Sequence, residues 1–286
     1  MKSLTYAITG ANGQIGAFLV EYLRNCGHTV YELVRSPEKA VDKNYYQFFD
    51  LSQPLQMPSL HGVDVLVHGA YYFDATNKDY EKMNKVGTQI LFQQAKDDHV
   101  KYSIFISTLS AHARSQSLYG RIKYQLEQSI MADHENSVIV RPGLVFHQPL
   151  KGITAAMDNF VKKFPVVPLI GNGKQLIYPC LLEELVQLIS LLSINQPAIK
   201  KPIIAASEHA ITFKQLVRYL AKQRQKKVLL FPIPFYGIYG LLKLVEFFKL
   251  PLGLRSDSLL GLQYGSEEVD FSVTDSLGAH FSPLKI

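Results

Sequence analysis

The chain has 286 residues, 47% hydrophobic and 19% charged, which is enough apolar material for a sizeable core and excludes a disordered polypeptide. Its two cysteines, Cys26 and Cys180, exclude a disulfide framework or a cysteine-based metal site, and no metal is expected. The formal charge of +6 is uneven: residues 1–150 hold 14 Lys/Arg and 14 Asp/Glu, residues 151–286 hold 16 and 10, so the second half would attract an anionic ligand or surface unless the charge serves only solubility.

The first elements alternate. Residues 4–9 (LTYAIT) are β-prone, and after GANGQIG the apolar positions Ile15, Phe18, Leu19, Tyr22 and Leu23 recur at helical spacing. Residues 29–34 (TVYELV) predict a second strand, so the chain opens as a βαβ unit. Further strands are predicted at 63–70, 101–108 and 137–146, the first of them apolar enough for a parallel strand buried on both faces. Helices are predicted at 79–97 and 117–132. This order implies a doubly wound parallel sheet.

After Phe146 prolines and glycines cluster at 142–152 and 164–173. A buried helix is predicted at 181–193 and an amphipathic one at 212–225, the latter opening with a Thr212/Gln215 capping box. Residues 228–252 are strongly apolar but broken by Pro232, Pro234, Gly237, Gly240 and Pro251. No secretory leader is expected, because glycines and Asn12 interrupt the apolar residues 4–20. With no run of about 18 uninterrupted apolar residues, no membrane span is expected either, and the expected location is the cytoplasm.

Three glycines, Gly10, Gly13 and Gly16, follow the first strand directly. They would allow a tight exit, a close approach of backbone to a pyrophosphate and close helix–sheet packing, with the helix N-terminus facing the phosphates. At the end of the second strand, where NAD sites place an acid, stand Val34 and Arg35. An arginine there would pair with a 2′-phosphate, so NADPH is expected before NADH. Glu32, the competing acid, should lie inside the strand, and Asp50 and Leu51 close the third strand near the adenine edge.

Tyr119 and Lys123 stand four apart in LYGRIK, on one face of a helix. Taken alone, the pair is as consistent with a helix surface as with an acid/base unit. The context decides. TGANGQIG, DVLVHGA, the MNKVGT segment with Asn84, ISTLSA, YGRIK and RPGLVF occur in one order over residues 5–146. As a set they resemble the short-chain dehydrogenase/reductase superfamily in its extended or atypical branch. GNGKQLIYPCLLEEL resembles that branch's second-domain stretch, although Leu181 stands where a histidine is frequent and Glu183–Glu184 replace an Asp pair.

The resemblance implies a Rossmann domain over 1–150 and a smaller substrate region over 151–286 that may return a strand to the main sheet. It implies that Tyr119 handles a proton, Lys123 holds the nicotinamide ribose, and Thr108, with Ser107 as the next choice, orients the substrate oxygen. A tyrosine base near neutrality needs its pKa lowered by roughly 3 units, about 4 kcal/mol of differential stabilisation. The implied cofactor contacts are Gly10, Asn12, Gly13, Gln14, Ile15, Gly16, Arg35, Asp50, Leu51, Gly69, Ala70, Tyr71, Asn84, Tyr119, Lys123, Pro142 and Gly143. His68 is read as a packing residue.

The leading expectation is an NADP-dependent oxidoreductase or epimerase/dehydratase, with NAD as the second cofactor. Its substrate would be a small molecule, either an anionic nucleotide sugar or an apolar carbonyl compound. The chain also resembles the complex I accessory-subunit branch, in which the nucleotide is structural and the protein is not a catalyst. No nucleic-acid partner is expected, and a homodimer is left open. The basic helix and apolar segment of 212–252 are further expected either to pack as core or to touch a membrane surface or a protein partner.

Overall fold

The computed structural model describes residues 3–36, 38, 40, 42, 44–74, 77–248, 255–265 and 269–285. The chain begins with β1 (Thr5–Thr9), α1 (Gln14–Asn25), β2 (Thr29–Val34), β3 (Tyr46–Phe48), β4 (Val65–His68) and α2 (Tyr80–Asp97). It continues through β5 (Tyr102–Ile106), α3 (Leu118–Asp133), β6 (Ser137–Pro142), β7 (Leu144–Phe146), α4 (Gly152–Lys163), β8 (Val166–Ile170) and β9 (Leu176–Ile177). Next come β10 (Pro179–Leu181), α5 (Leu182–Asn195), β11 (Ile203–Ala205), β12 (Ile211–Thr212) and α6 (Phe213–Gln223). The last elements are β13 (Leu229–Ile233), α7 (Phe235–Phe247), α8 (Ser256–Tyr264) and α9 (Ser272–Ser276).

The main sheet has seven strands in the order β11-β6-β5-β4-β1-β2-β3. Pairings from β6 through to β3 are all parallel. The order 3-2-1-4-5-6 within it is that of the Rossmann fold, and strand order reverses between β1 and β4. All four residues of β4 are buried, as its apolar run requires of a strand covered on both faces. The expected return of a strand from the second half is β11, at the sheet's edge.

The chain forms two compact units. One comprises 1–108, 122–141 and 182–203; the other comprises 109–121, 142–181 and 204–286. The expected boundary near residue 150 thus becomes several crossings. In the first unit Ala7, Leu33, Leu51, Leu66 and Leu91 share one buried cluster. The second is built from three two-stranded sheets, β10–β7, β12–β9 and β13–β8. Its core joins Phe146 and Val161 to Leu216, Val217 and Leu220 of α6. That helix starts with the expected capping box, in which Thr212 accepts from the Gln215 amide and the Gln215 side chain accepts from the Thr212 amide.

The strand expected over 137–146 divides in two. Pro142 has no N–H to extend the ladder. Gly143 turns its amide to Ala205 O at 3.0 Å, and Leu144 then donates to Tyr178 O at 2.8 Å. A Cβ on Gly143 would lie 2.0 Å from Tyr178 O. At Pro142 and Gly143, two of the implied cofactor contacts, the Gly143 amide is engaged within the protein.

Gly143→Ala should destabilise the protein by about 2–3 kcal/mol or more, since backbone and not a flexible side chain must give way. Gly240→Ala is the counterpart: it lies within α7 with open space around its Cα, and should gain about 0.5–1 kcal/mol from helix propensity. Urea midpoints of the two variants against the wild type measure both.

Candidate active site and nucleotide-binding turn

The turn after β1 lies at the reversal in strand order. Gly10 adopts φ +69°, and a Cβ there would meet Ala70 N and Gly69 C at 2.9 Å. Gly13 donates to Gly10 O at 2.8 Å. Gly16 faces the same carbonyl, where a Cβ would stand 2.2 Å away. These contacts leave no room for side chains, and they set the N-terminus of α1 at the sheet's C-terminal edge. No side chain caps that terminus and its first turn holds no acid. Gln14 Nε2 is buried with no hydrogen-bond partner.

Thr9 and His68 fix the facing segment. Thr9 Oγ1 accepts from the amides of Gly69 and Ala70, each at 3.1 Å. Its own proton is then left to donate to His68 Nδ1 at 2.7 Å, so Nε2 carries the imidazole proton and donates to Thr88 Oγ1 at 3.0 Å. His68 is fully buried and stacked on Phe105, and burial holds its pKa well below the usual range, with the nearby Lys123 charge adding to the effect. It is a packing residue, as expected, and a neutral one.

Asn84, named among the implied cofactor contacts, holds backbone with its side chain: it accepts from Tyr72 N at 2.8 Å and donates to Tyr72 O and Tyr80 O at 3.0 and 2.9 Å. It pins the segment that carries Tyr71, whose hydroxyl accepts from Tyr80 at 2.9 Å. β3 ends at Phe48, so Asp50 and Leu51 lie in the turn beyond it. Asp50 accepts from the amide and hydroxyl of Ser52, and Leu51 is buried where Gly87 lets α2 approach, a Cβ there falling 2.7 Å from Leu51 O.

At the end of β2, Glu32 is fully buried and paired with Arg24 at 2.9 Å. It lies inside the strand and is committed, as its position in TVYELV predicts. Arg35 is exposed and, among the described residues, enters no ion pair.

Tyr119, Lys123 and Glu127 repeat every fourth residue of α3. Lys123 is 2% exposed. Its Nζ donates to Ile106 O at 2.7 Å and lies 4.4 Å from the Phe105 ring centroid and 5.3 Å from that of Tyr71. Burial lowers its pKa to about 7, against the attraction of Glu127. Glu127 is itself fully buried, with both oxygens held by Arg141, and it accepts the Ser107 hydroxyl. Burial raises its pKa, opposed first by Arg141. Ser107, the second choice for orienting substrate, thus spends its proton on Glu127; Thr108, one residue further, is half-buried at the strand's exit.

The start of α3 is set in the second unit. Ser117 Oγ accepts from Gly120 N at 2.8 Å, and Asp257 of α8 accepts from Leu118 N and Tyr119 N at 2.6 and 3.1 Å. A Cβ on Gly120 would meet Ser115 Oγ at 2.2 Å and Ser110 O at 2.3 Å. Tyr119 belongs to this unit and Lys123 to the first.

A family model described as NAD(P)H-binding matches residues 10–163. The chain belongs to that NAD(P)H-binding family. It is 25% identical over 267 residues to UDP-glucose 4-epimerase of Vibrio cholerae, covering 82% of this chain and 80% of that one. Its fold is shared with the Thermotoga maritima UDP-glucose 4-epimerase bound to UDP-glucose, at TM-score 0.68 and 18% identity over 81% and 86% of the two chains. It is shared too with the dTDP-glucose 4,6-dehydratase DesIV of Streptomyces venezuelae, solved with NAD, at TM-score 0.64 and 20% identity over 80% and 84%. The protein is an extended, epimerase/dehydratase-like member of the short-chain dehydrogenase/reductase superfamily and an NAD(P)-dependent enzyme of that type.

Residues of this NAD(P)H-binding protein fit a dinucleotide. The cradle of Gly10, Gly13 and Gly16 would admit phosphates, and the orphaned Gln14 Nε2 lies beside it with a donor to spare. Glu127 and Arg141 escaped the sequence reading, although the four-residue spacing from Tyr119 through Lys123 was a usable signal for Glu127. Asp257 left no such signal, being 138 residues from Tyr119.

Lys123 should make stability depend on pH. The unfolded chain holds this proton up to about 10.5 and the folded chain releases it near 7, so between those values the unfolded state binds more protons and stability rises with pH. Lys123→Met removes that rise. Its stability relative to wild type should be greatest at pH 7 and fall by on the order of 2–4 kcal/mol by pH 10. Urea titrations at the two pH values check this; a constant difference would mean the lysine is not charge-destabilised.

Proposed function

We propose that this protein is an NADP-linked oxidoreductase or epimerase in which Tyr119 moves the proton and the substrate is an anionic, nucleotide-linked sugar. The observation that carries the reading is Lys123. A lysine buried at a cost in charge, on one helix face with a tyrosine, serves proton transfer and has no purpose in a binding module. Bound cofactor would supply hydride chemistry.

In this reading Tyr119 exchanges its phenolic proton with the substrate oxygen, and Lys123 favours the tyrosinate by its charge. With a pKa lowered to about 7, Lys123 has ammonium and amine within easy reach of each other at neutral pH, so the ammonium can return a proton to the tyrosinate left when Tyr119 has protonated the substrate oxygen. Thr108 orients the substrate oxygen, while Ser107, Glu127 and Arg141 brace the helix beneath. Asp257 positions Tyr119 by holding its backbone amide. Support for an anionic substrate comes from the relatives and from charge: the second unit carries 16 Lys/Arg against 8 Asp/Glu, and the first 14 against 16. Arg35 supports NADPH, because it follows the last residue of β2 and the only acid of that strand is paired with Arg24.

Tyr119→Phe should lower turnover by at least about 10²-fold and leave NADPH affinity within about twofold of wild type. Turnover would be read by NADPH absorbance against a panel of UDP- and dTDP-sugars and of small aldehydes and ketones. Reduction confined to the uncharged carbonyls would replace the sugar assignment, and retained activity would remove Tyr119 from proton transfer. Arg35→Ala should weaken NADPH by about 1.5–3 kcal/mol and leave NADH unchanged. Equal wild-type affinities for the two would overturn the NADP preference.

A further inference from the structure

Of the basic stripe Lys214, Arg218 and Lys222 on α6, the last two are exposed. Its apolar face is buried as Leu216, Val217, Leu220 and Ala221. Lys214 is half-buried against Gly173, and Arg224 pairs with Asp158. Lys226 donates to the carbonyls of Val161 and Lys162. Residues 249–252 lie outside the described residues. The core-packing reading therefore holds for the apolar face of α6, and unspent apolar surface lies elsewhere in the same unit, at Tyr236, Leu241 and Leu244 of α7 and, joined to basic residues, on a strand pair.

The latter surface is the outer face of the β8–β13 pair. Val167 and Leu169 of β8 and Leu230 of β13 face the core. Among the alternate residues, Ile170 is buried with Leu242 of α7, and those nearer the start of the two strands face out. Leu229 is 66% and Phe231 55% exposed, Val166, the ladder partner of Leu229, is 44% exposed, and Phe164 just before it is 39% exposed. A strand pair with one face on the core should alternate apolar and polar; this one is apolar on both. The chain that brings it together is basic. Leu229 N donates to Pro165 O at 2.8 Å, which sets exposed Lys227 two residues ahead of β13 beside exposed Lys162 and Lys163 at the end of α4. Lys163 already lies over the Phe164 ring, 5.4 Å from its centroid. No acid occurs between Asp158 and Glu183, or between Glu208 and Glu246.

We infer that the outer face of β8–β13 is a peripheral membrane-docking surface for anionic lipid: Phe164, Val166, Leu229 and Phe231 enter the headgroup region and Lys162, Lys163 and Lys227 pair with lipid phosphates. The charge decides between occupants. A second copy would bring the same three lysines against these, whereas an anionic bilayer offers both the apolar layer and the opposite charge. Nothing spans: among the described residues no helix is long and apolar enough to cross a membrane.

The test is sedimentation of the full chain with phosphatidylglycerol-containing vesicles and with pure phosphatidylcholine vesicles, at low and high salt. Wild type should pellet with the anionic vesicles at low salt and be released at high salt. Replacing Lys162, Lys163 and Lys227 one at a time by Gln should weaken binding roughly fivefold each, as expected of about 1 kcal/mol per lysine near an anionic surface. Phe231→Ser should weaken it too, and the exposed lysine variants guard against a misfolded Phe231 variant, cooperative thermal unfolding being checked for all four. Absence of salt-sensitive pelleting would overturn the proposal, as would equal binding to neutral vesicles. So would a dimer, seen by sedimentation velocity, that Phe231→Ser dissociates while vesicle binding stays at wild-type strength.

Discussion

The narrow gap between the ends of β1 and β4 governs the nucleotide-binding half of the molecule. Gly10 turns the chain so near the Gly69–Ala70 peptide that a Cβ would fall 2.9 Å from it, and the single hydroxyl of Thr9 closes the gap by taking both amides of that segment. Having accepted twice, the hydroxyl must donate to His68, which fixes the tautomer of a buried imidazole and, through it, the position of Thr88 on α2. The same helix turn carries Asn84, which holds the backbone around Tyr72. One crowded exit thus orders two loops and a helix without any of them needing a ligand.

A second buried system stands further along the sheet. Lys123 sits beneath two aromatic rings with one carbonyl for company, and its neighbour Glu127 is held by Arg141 and Ser107. Packing alone would favour apolar residues in both places. The protein keeps a lysine there with its pKa lowered to about 7, a group that changes charge readily near neutrality, at a cost in stability that the proposed proton-transfer role would explain.

Much of this was legible in the residues. Apolar runs located β1, β2, β4, β5 and β6 to within a few residues, whereas the short β11 had no such run predicted for it, and the glycines of TGANGQIG announced the crowded exit because only a missing Cβ fits there. Glu32 was correctly placed inside its strand by phase alone. What the sequence hid were partners chosen by tertiary structure. Asn84 and Gly143 carry polar groups, and only the folded chain reveals their backbone partners. Asp257 caps α3 from the far end of the chain, and no local pattern encodes such a bond. The split of 137–146 into β6 and β7 was hidden for the same reason, since the carbonyl that replaces a Cβ at Gly143 belongs to Tyr178.

The chain passes between its two units at residues 108, 121, 141, 181 and 203, and one of these passages falls inside α3, between Tyr119 and Lys123. A protein wired this way has no cassette to exchange. Recombination that imported a foreign substrate region would need five junctions, one of them through the middle of a helix. New specificities in such a lineage must therefore arise by substitution and loop change in place, with α3 inherited whole each time.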